Sequence, residues 1–127
     1  MDQYRISIEQ RAQYLYATVE GANTPETIRR YMTEIREACV RLRVLNVLVV
    51  VNLQGPGVSM LDLYKVMALG SDEAIGSGLR VAYVERNPER SDANMFMAEN
   101  VAMTRGIPVR TFRDVAAAEA WLLSAAT

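Results

Sequence analysis

The start of the chain alternates hydrophobic and polar residues in the way that a half-buried strand requires. Ile6 and Ile8 alternate with polar and charged residues within residues 4–10, and this period of two indicates a strand with one buried face. A second strand-like run covers residues 13–21. Because strands this close in sequence pair with each other, we expect the two runs to form an antiparallel hairpin.

The most apolar segment of the chain, residues 45–53, follows a different pattern. It is rich in β-branched valine and is apolar at nearly every position, so both of its faces must be buried. A central strand of a parallel sheet has this requirement, because helices cover both sides of such a sheet. The turn sequence Gln-Gly-Pro-Gly at residues 54–57 ends the strand.

Helical and strand patterns alternate around this central strand. The predicted helices begin at the capping residues Thr24, Ser59, Ser91 or Asp92, and Asp114. The helix from Ser59 is expected to end near Leu69, and the helix after Ser91 at Arg105, before Gly106. The remaining strands are predicted at Arg80–Glu85 and at residues 108–112. The order β-β-α-β-α-β-α-β-α predicts one α/β sandwich domain over residues 1–127. Its mixed sheet combines the antiparallel N-terminal hairpin with a parallel remainder, flanked by helices.

Composition narrows the functional classes. The 127 residues carry a formal net charge of −1, which argues against binding nucleic acid through bulk charge. The chain has no histidine, and we predict that its one cysteine, Cys39, is buried within a helix. No catalytic residue, metal ligand or cofactor is therefore predicted. Because no segment is apolar and long enough to span a membrane and no signal pattern is present, we expect a cytoplasmic protein.

Three features of the sequence together resemble a known family: the order of elements, the apolar residues 45–53, and the ending VRTFRD at 109–114 followed by AWL at 120–122. They are similar to sulfate-transporter and anti-sigma-factor-antagonist (STAS) domains. The similarity is to the stand-alone bacterial branch, related to sporulation regulators and to lipid-binding SEC14-like domains, and it covers nearly the whole chain. The resemblance implies a four- or five-stranded mixed sheet flanked by helices and a non-enzymatic role in partner binding.

The same resemblance bears on a phosphorylation switch. In the anti-sigma antagonists, a serine directly after an aspartate at the start of the second helix is phosphorylated. Residues 58–63 (VSMLDL) resemble that stretch, with Asp62 at the aspartate position and Leu63, which has no hydroxyl, at the acceptor position. Ser59 could replace it only in a shifted register, and it is the one candidate phosphosite of this stretch.

Polar residues follow two of the predicted parallel strands. Right-handed crossovers bring the carboxyl ends of these strands to one edge, where helix N-termini also point. A phosphate or carboxylate would be attracted there by N–H groups and by arginine. The candidate anion-binding residues are Asn52, Gln54, Ser59, Arg86, Asn87 and Arg90. The same residue types are common in turns that bind nothing, so both interpretations stay open.

The predicted helix from residue 59 to 69 has more apolar residues than one buried stripe needs. Its candidate partner contacts are Met60, Leu63, Tyr64 and Met67. A homodimer is the simplest such contact, because two-fold dimers are the commonest assembly. A large core would account for the same residues, and we expect Phe96 of the next helix to lie in the core.

These observations leave several functions open. The first is a non-enzymatic STAS-like module that binds itself or another protein. The second, which SEC14-like kinship implies, is a carrier or sensor of a small apolar or amphipathic, lipid-like molecule whose acidic head lies near Arg86 and Arg90. The third is an uncharacterised hydrolase, which would have to work without histidine and without a recognisable motif.

Overall fold

A five-stranded sheet forms the centre of the computed structural model, which describes residues 4–55 and 58–124. The strands are β1 (Tyr4–Gln10), β2 (Leu15–Ala22), β3 (Asn46–Gln54), β4 (Arg80–Glu85) and β5 (Val109–Phe112). They lie side by side in chain order. β1 pairs antiparallel with β2, and all other neighbours pair in parallel. The predicted mixed sheet with an N-terminal hairpin is confirmed.

Four helices connect and follow these strands: α1 (Pro25–Leu42), α2 (Met60–Glu73), α3 (Asp92–Met103) and α4 (Val115–Ser124). The predicted caps are confirmed. Thr24, Ser59, Ser91 and Asp114 each accept a hydrogen bond from the backbone N–H three residues later, at 3.0 to 3.1 Å. These bonds satisfy N–H groups that the first turn of a helix leaves unpaired.

Helices cover the two faces of the sheet unequally. α1, α2 and α3 pack on one face, over a core that includes Leu15, Val49 and Leu53. α4 packs on the other face, where Leu48 and Leu122 belong to one buried cluster. Since β3 pairs with a strand on each side and lies between these layers, the prediction of an interior strand at residues 45–53 is confirmed. Two residues of the turn predicted after it, Pro56 and Gly57, lie outside the described residues.

The end of α2 differs from the prediction. The helix continues through Gly70 and ends at Glu73, so the predicted end near Leu69 was wrong. A Cβ atom at Gly70 would overlap the end of the Met32 side chain. Gly70 therefore allows α1 and α2 to approach each other closely, and it does not terminate the helix.

Candidate functional site

Asn87 was predicted to belong to an anion site, and the structure shows it organising the turn between β4 and α3. Its side-chain Nδ2 donates to the Leu53 carbonyl at 2.9 Å, and its Oδ1 accepts from the Glu89 N–H at 3.0 Å. Its backbone N–H donates to Oε2 of Glu85 at 3.1 Å. Asn87 thus joins this turn to the end of β3.

The other residues predicted to bind an anion at this edge form fewer hydrogen bonds within the protein than Asn87 does. Gln54 Nε2 donates to Oδ1 of Asn52 at 2.7 Å, and the hydroxyl of Ser59 caps α2. The side chain of Arg86 is exposed. An anion site formed by these residues stays a prediction.

Arg90 differs from its neighbours because its side chain turns into the protein. The side chain is 9% exposed, and its Nε lies 3.7 Å from Oε1 of Glu85, whose side chain is 1% exposed. Nη2 of Arg90 is buried and has no hydrogen-bond partner within the described part of the chain. A buried and loosely paired Arg–Glu couple with an unused donor is unusual, because buried donors are nearly always satisfied.

Two tyrosine hydroxyls lie near this couple. The hydroxyl oxygens of Tyr31, on α1, and Tyr83, on β4, are 3.0 Å apart. Burial raises the pKa of both phenols, so both stay neutral at physiological pH. One of the two hydroxyl hydrogens forms the mutual bond, and the other remains available to a further acceptor.

A cavity of about 100 Å³, which we call the interlayer cavity, lies between the sheet and the helices that pack on it. Apolar side chains dominate its lining, among them Met32, Ile35, Val47, Val49, Met67 and Val81. A smaller space of about 30 Å³, the polar cavity, includes Glu85, Arg90, Asn94 and Thr111 in its lining. The two adjoin, because Tyr31, Met67, Tyr83 and Val109 line both. Together they form a site that is apolar at one end and polar at the other.

Burial raises the pKa of Glu85, against smaller opposing effects of the Asn87 N–H and of Arg90. Folding therefore favours the protonated form. The contribution of Glu85 to the free energy of unfolding is fully present below its unfolded pKa of about 4.3 and is lost as the pH rises through the folded-state pKa. We expect the stability of Glu85→Gln to fall less than that of the wild type between about pH 4 and pH 7. Urea denaturation at each pH measures this difference.

The matched control for this prediction is Glu89→Gln, which removes an exposed carboxylate from the same turn. Its stability should follow the pH dependence of the wild type. Parallel curves for Glu85→Gln and the wild type would contradict the prediction.

Comparisons with known proteins bear on the fold. No protein-family model matches the chain, and no curated protein matches it. Among solved structures, it is similar to an uncharacterized protein of the DUF3478 family from Shewanella loihica PV-4, described as having a SpoIIAA-like fold. The similarity covers 96% of this chain and 95% of that chain, with 18% sequence identity and a TM-score of 0.55. The chain has a SpoIIAA-like fold. The predicted STAS-like architecture is confirmed at this level.

Within this SpoIIAA-like fold, the stretch that resembles a phosphorylation site lies at the start of α2. Leu63, at the expected acceptor position, is 6% exposed. Ser59 is exposed, and its Oγ accepts from the Asp62 N–H at 3.1 Å. Phosphorylation of Ser59 stays a prediction.

The structure corrects the set of partner contacts predicted on α2. Leu63 and Met67 are 6% and 9% exposed, because they lie on the side of the helix that packs on the sheet, so they belong to the core. Met60 and Tyr64 are 49% and 46% exposed. Phe96, expected in the core, is 64% exposed.

The exposed apolar residues of α2 and α3 form a larger set than the sequence indicated. We call it the α2–α3 apolar surface, and its members, each between 46% and 62% exposed, are Met60, Leu61, Tyr64, Leu69 and Met103. Phe96 is exposed on the other side of α3, where it lines a groove together with Thr111 and Phe112 of β5. Both helices are apolar on most of their circumference, so periodicity could not separate exposed from buried positions.

Three further kinds of site are relevant to function: a metal centre, a membrane-spanning helix and a reactive cysteine. Within residues 4–55 and 58–124, no group of three or more histidine, cysteine, aspartate or glutamate side chains could hold a metal ion. No helix in the same ranges is long and apolar enough to cross a membrane. Cys39 is buried as predicted, and burial raises the pKa of its thiol to about 11. A thiol with such a pKa is a poor nucleophile at neutral pH.

Proposed function

We propose that the protein is a non-enzymatic binding module that acts through protein–protein contacts, with the α2–α3 apolar surface as the contact and a second copy of the chain as the partner. One observation carries this proposal: Met60, Leu61 and Tyr64 are all exposed on the first turns of α2. Single exposed apolar residues are ordinary, whereas a set of them on two neighbouring helices is typical of an interaction surface.

The distribution of charge supports self-association. The chain has a formal net charge of −1, so two copies repel each other only weakly. Asp72 of α2 pairs with Arg105, directly after α3, at 2.6 Å, which neutralises two charges beside the surface. A two-fold contact places identical surfaces against each other, so the exposed Asp62 and Lys65 of one copy can face the opposite charges of the other.

Fold-level analogy extends the proposal. SpoIIAA-like architecture and the resemblance to stand-alone bacterial STAS domains support a regulatory role in the bacterial cytoplasm. The hydrolase alternative gains no support from Cys39, because burial raises the pKa of its thiol to about 11 and makes it a poor nucleophile.

Leu61→Glu tests the proposed contact, since Leu61 is 62% exposed within the surface. A charge there would be desolvated at the interface, and we expect self-association to weaken at least about thirty-fold, which corresponds to roughly 2 kcal/mol. Sedimentation equilibrium of the 14.2 kDa chain measures this change.

The control variant is Val40→Glu, which adds the same charge at a 73% exposed position on α1. It lies outside the α2–α3 apolar surface, so the dimer should be unchanged. A wild-type chain that remains monomeric at high micromolar concentration would reject the proposed homodimer.

We propose, as a second function, that the module binds a small apolar or amphipathic molecule. The interlayer cavity supports this, because its lining is mostly apolar and it lies beneath the helices. A cavity of about 150 Å³ holds one benzene molecule, so a cavity of about 100 Å³ is too small for the acyl chains of a membrane lipid. We therefore replace the lipid-like ligand expected from the sequence with a smaller apolar or amphipathic molecule. Native mass spectrometry of protein purified from cells tests whether a ligand accompanies it.

A further inference from the structure

The polar cavity contains a hydrogen-bond donor that the fold itself leaves unused. The Arg90 side chain is more than nine-tenths buried, and its Nη2 has no acceptor among the described residues. Leaving a buried charged donor unpaired costs free energy that an acceptor would recover. Because Arg90 lines the polar cavity, a ligand oxygen placed in this space is within reach of the donor.

The charges around this donor favour a neutral acceptor. Glu85 balances the charge of Arg90 at 3.7 Å, so the couple is neutral before any ligand enters. A ligand carboxylate would bring a second negative charge next to Glu85, and burying it without a further cation is costly. Arg86 is exposed, and the guanidinium of Arg113 is already bonded to the carbonyls of Asn87 and Arg90 and to Asp92, so neither arginine supplies that cation. This geometry disfavours the acidic head expected from the sequence.

A second donor lies at the border of the two cavities. Tyr31 and Tyr83 line both spaces and bond to each other through their hydroxyls at 3.0 Å. One hydroxyl hydrogen of this pair remains available. A carbonyl oxygen has two lone pairs, so it can accept from Arg90 and from a tyrosine together.

The volume of the interlayer cavity limits the size of the apolar tail that a ligand can place in it. Its volume of about 100 Å³ is somewhat smaller than a cavity that holds the six carbons of benzene, which suits a tail of about four to six carbons. Arg36 and Glu73, which are 32% and 34% exposed, also line this cavity. It therefore reaches the surface between α1 and α2, where a small molecule can enter.

We propose that the two cavities form one binding site for a short, uncharged molecule that carries a single carbonyl or hydroxyl oxygen. The oxygen accepts hydrogen bonds from Arg90 and the Tyr31–Tyr83 pair, and the tail fills the interlayer cavity. This inference rests on the second function proposed above and adds the chemical class of its ligand.

The test titrates the full-length chain with three probes of similar length: methyl butyl ketone, hexanoate and pentane. The methyl NMR signals of Met32 and Met67, which line the interlayer cavity, report binding. We expect the ketone to bind more tightly than the other two. Along a series of methyl ketones, affinity should rise about four-fold per added methylene until the tail reaches about six carbons, and then fall.

The matched variant replaces both charged partners, as Glu85→Met with Arg90→Met. Removing a buried pair together with apolar residues of similar volume is tolerated far better than removing one partner. The ketone should lose about ten- to a hundred-fold in affinity, whereas pentane should bind as before. Ala102→Leu, which fills space at the lining of the interlayer cavity, should abolish binding of both.

The outcomes separate this inference from the function on which it rests. If none of the probes shifts the methionine signals at millimolar concentration, both fail. If pentane and the ketone bind equally well and the double variant changes neither, the cavity binds ligands but the proposed acceptor class is wrong. Tighter binding of hexanoate than of the ketone would also overturn the proposal that the ligand is uncharged.

Discussion

Met67→Ala is expected to lower the free energy of unfolding by about 2–4 kcal/mol, because it enlarges a cavity under α2. Met67 is 9% exposed and lines both the interlayer cavity and the polar cavity. Truncation removes apolar contacts, and the packed sheet below cannot collapse to restore them. Urea denaturation measures the change in the Leu61→Glu background, where self-association contributes less to the measured stability.

Met60→Ala is the matched control, since it makes the same chemical change seven residues earlier in α2. Met60 is 49% exposed, so the effect should stay within about 0.5 kcal/mol. Equal losses for the two variants would mean that α2 does not pack with its Met67 side on the sheet. The pair thus tests the correction to the predicted partner contacts directly.

The sheet was predictable because strand faces and helix caps leave local signals. Ile6 and Ile8 alternate with polar residues, and the structure places them against the helical layer. Ser59 precedes an apolar run and caps α2 as expected. The apolar segment at residues 45–53 could be assigned to the centre of the sheet because it is short and rich in β-branched valine, which favours a strand covered on both faces.

The end of α2 could not be predicted, because a glycine has two opposite meanings in a helix pattern. Gly70 reads as a helix terminator when the sequence is considered alone. In the structure it accommodates Met32 of α1, a residue far away in sequence. Only the packing of two helices distinguishes these cases.

The polar cavity was only partly predictable. The sequence placed Arg86 and Arg90 after β4 together, but the turn organised by Asn87 exposes one and buries the other. A signal for the buried acid did exist. Val81, Tyr83 and Glu85 alternate along β4, so the period of two places Glu85 on the same face as Tyr83. A carboxylate on a helix-covered face requires a partner, and that requirement points to Arg90.

Leu122→Ala is expected to destabilise the protein by about 3–5 kcal/mol, because α4 is the helix that covers the second face of the sheet. Leu122 and Leu48 are each 0% exposed. Polar contacts also hold α4, since Tyr14 donates to Glu119 at 2.5 Å and Arg80 donates to the carbonyl of Trp121 at 3.0 Å. These contacts should keep the helix docked, so the truncation leaves a cavity and the whole chain loses stability.

Trp121 reports directly on this mechanism, because it is the one tryptophan of the chain and adjoins Leu122. In Leu122→Ala, its fluorescence and the far-ultraviolet circular dichroism should change at the same, lower urea concentration, as a two-state transition requires. Val40→Ala, at a position of α1 that is 73% exposed and outside the α2–α3 apolar surface, should shift the transition by no more than about 0.5 kcal/mol. A fluorescence change that precedes the loss of secondary structure would instead mean that α4 detaches on its own. The second face of the sheet would then contribute little to the stability of the layer that encloses the two cavities.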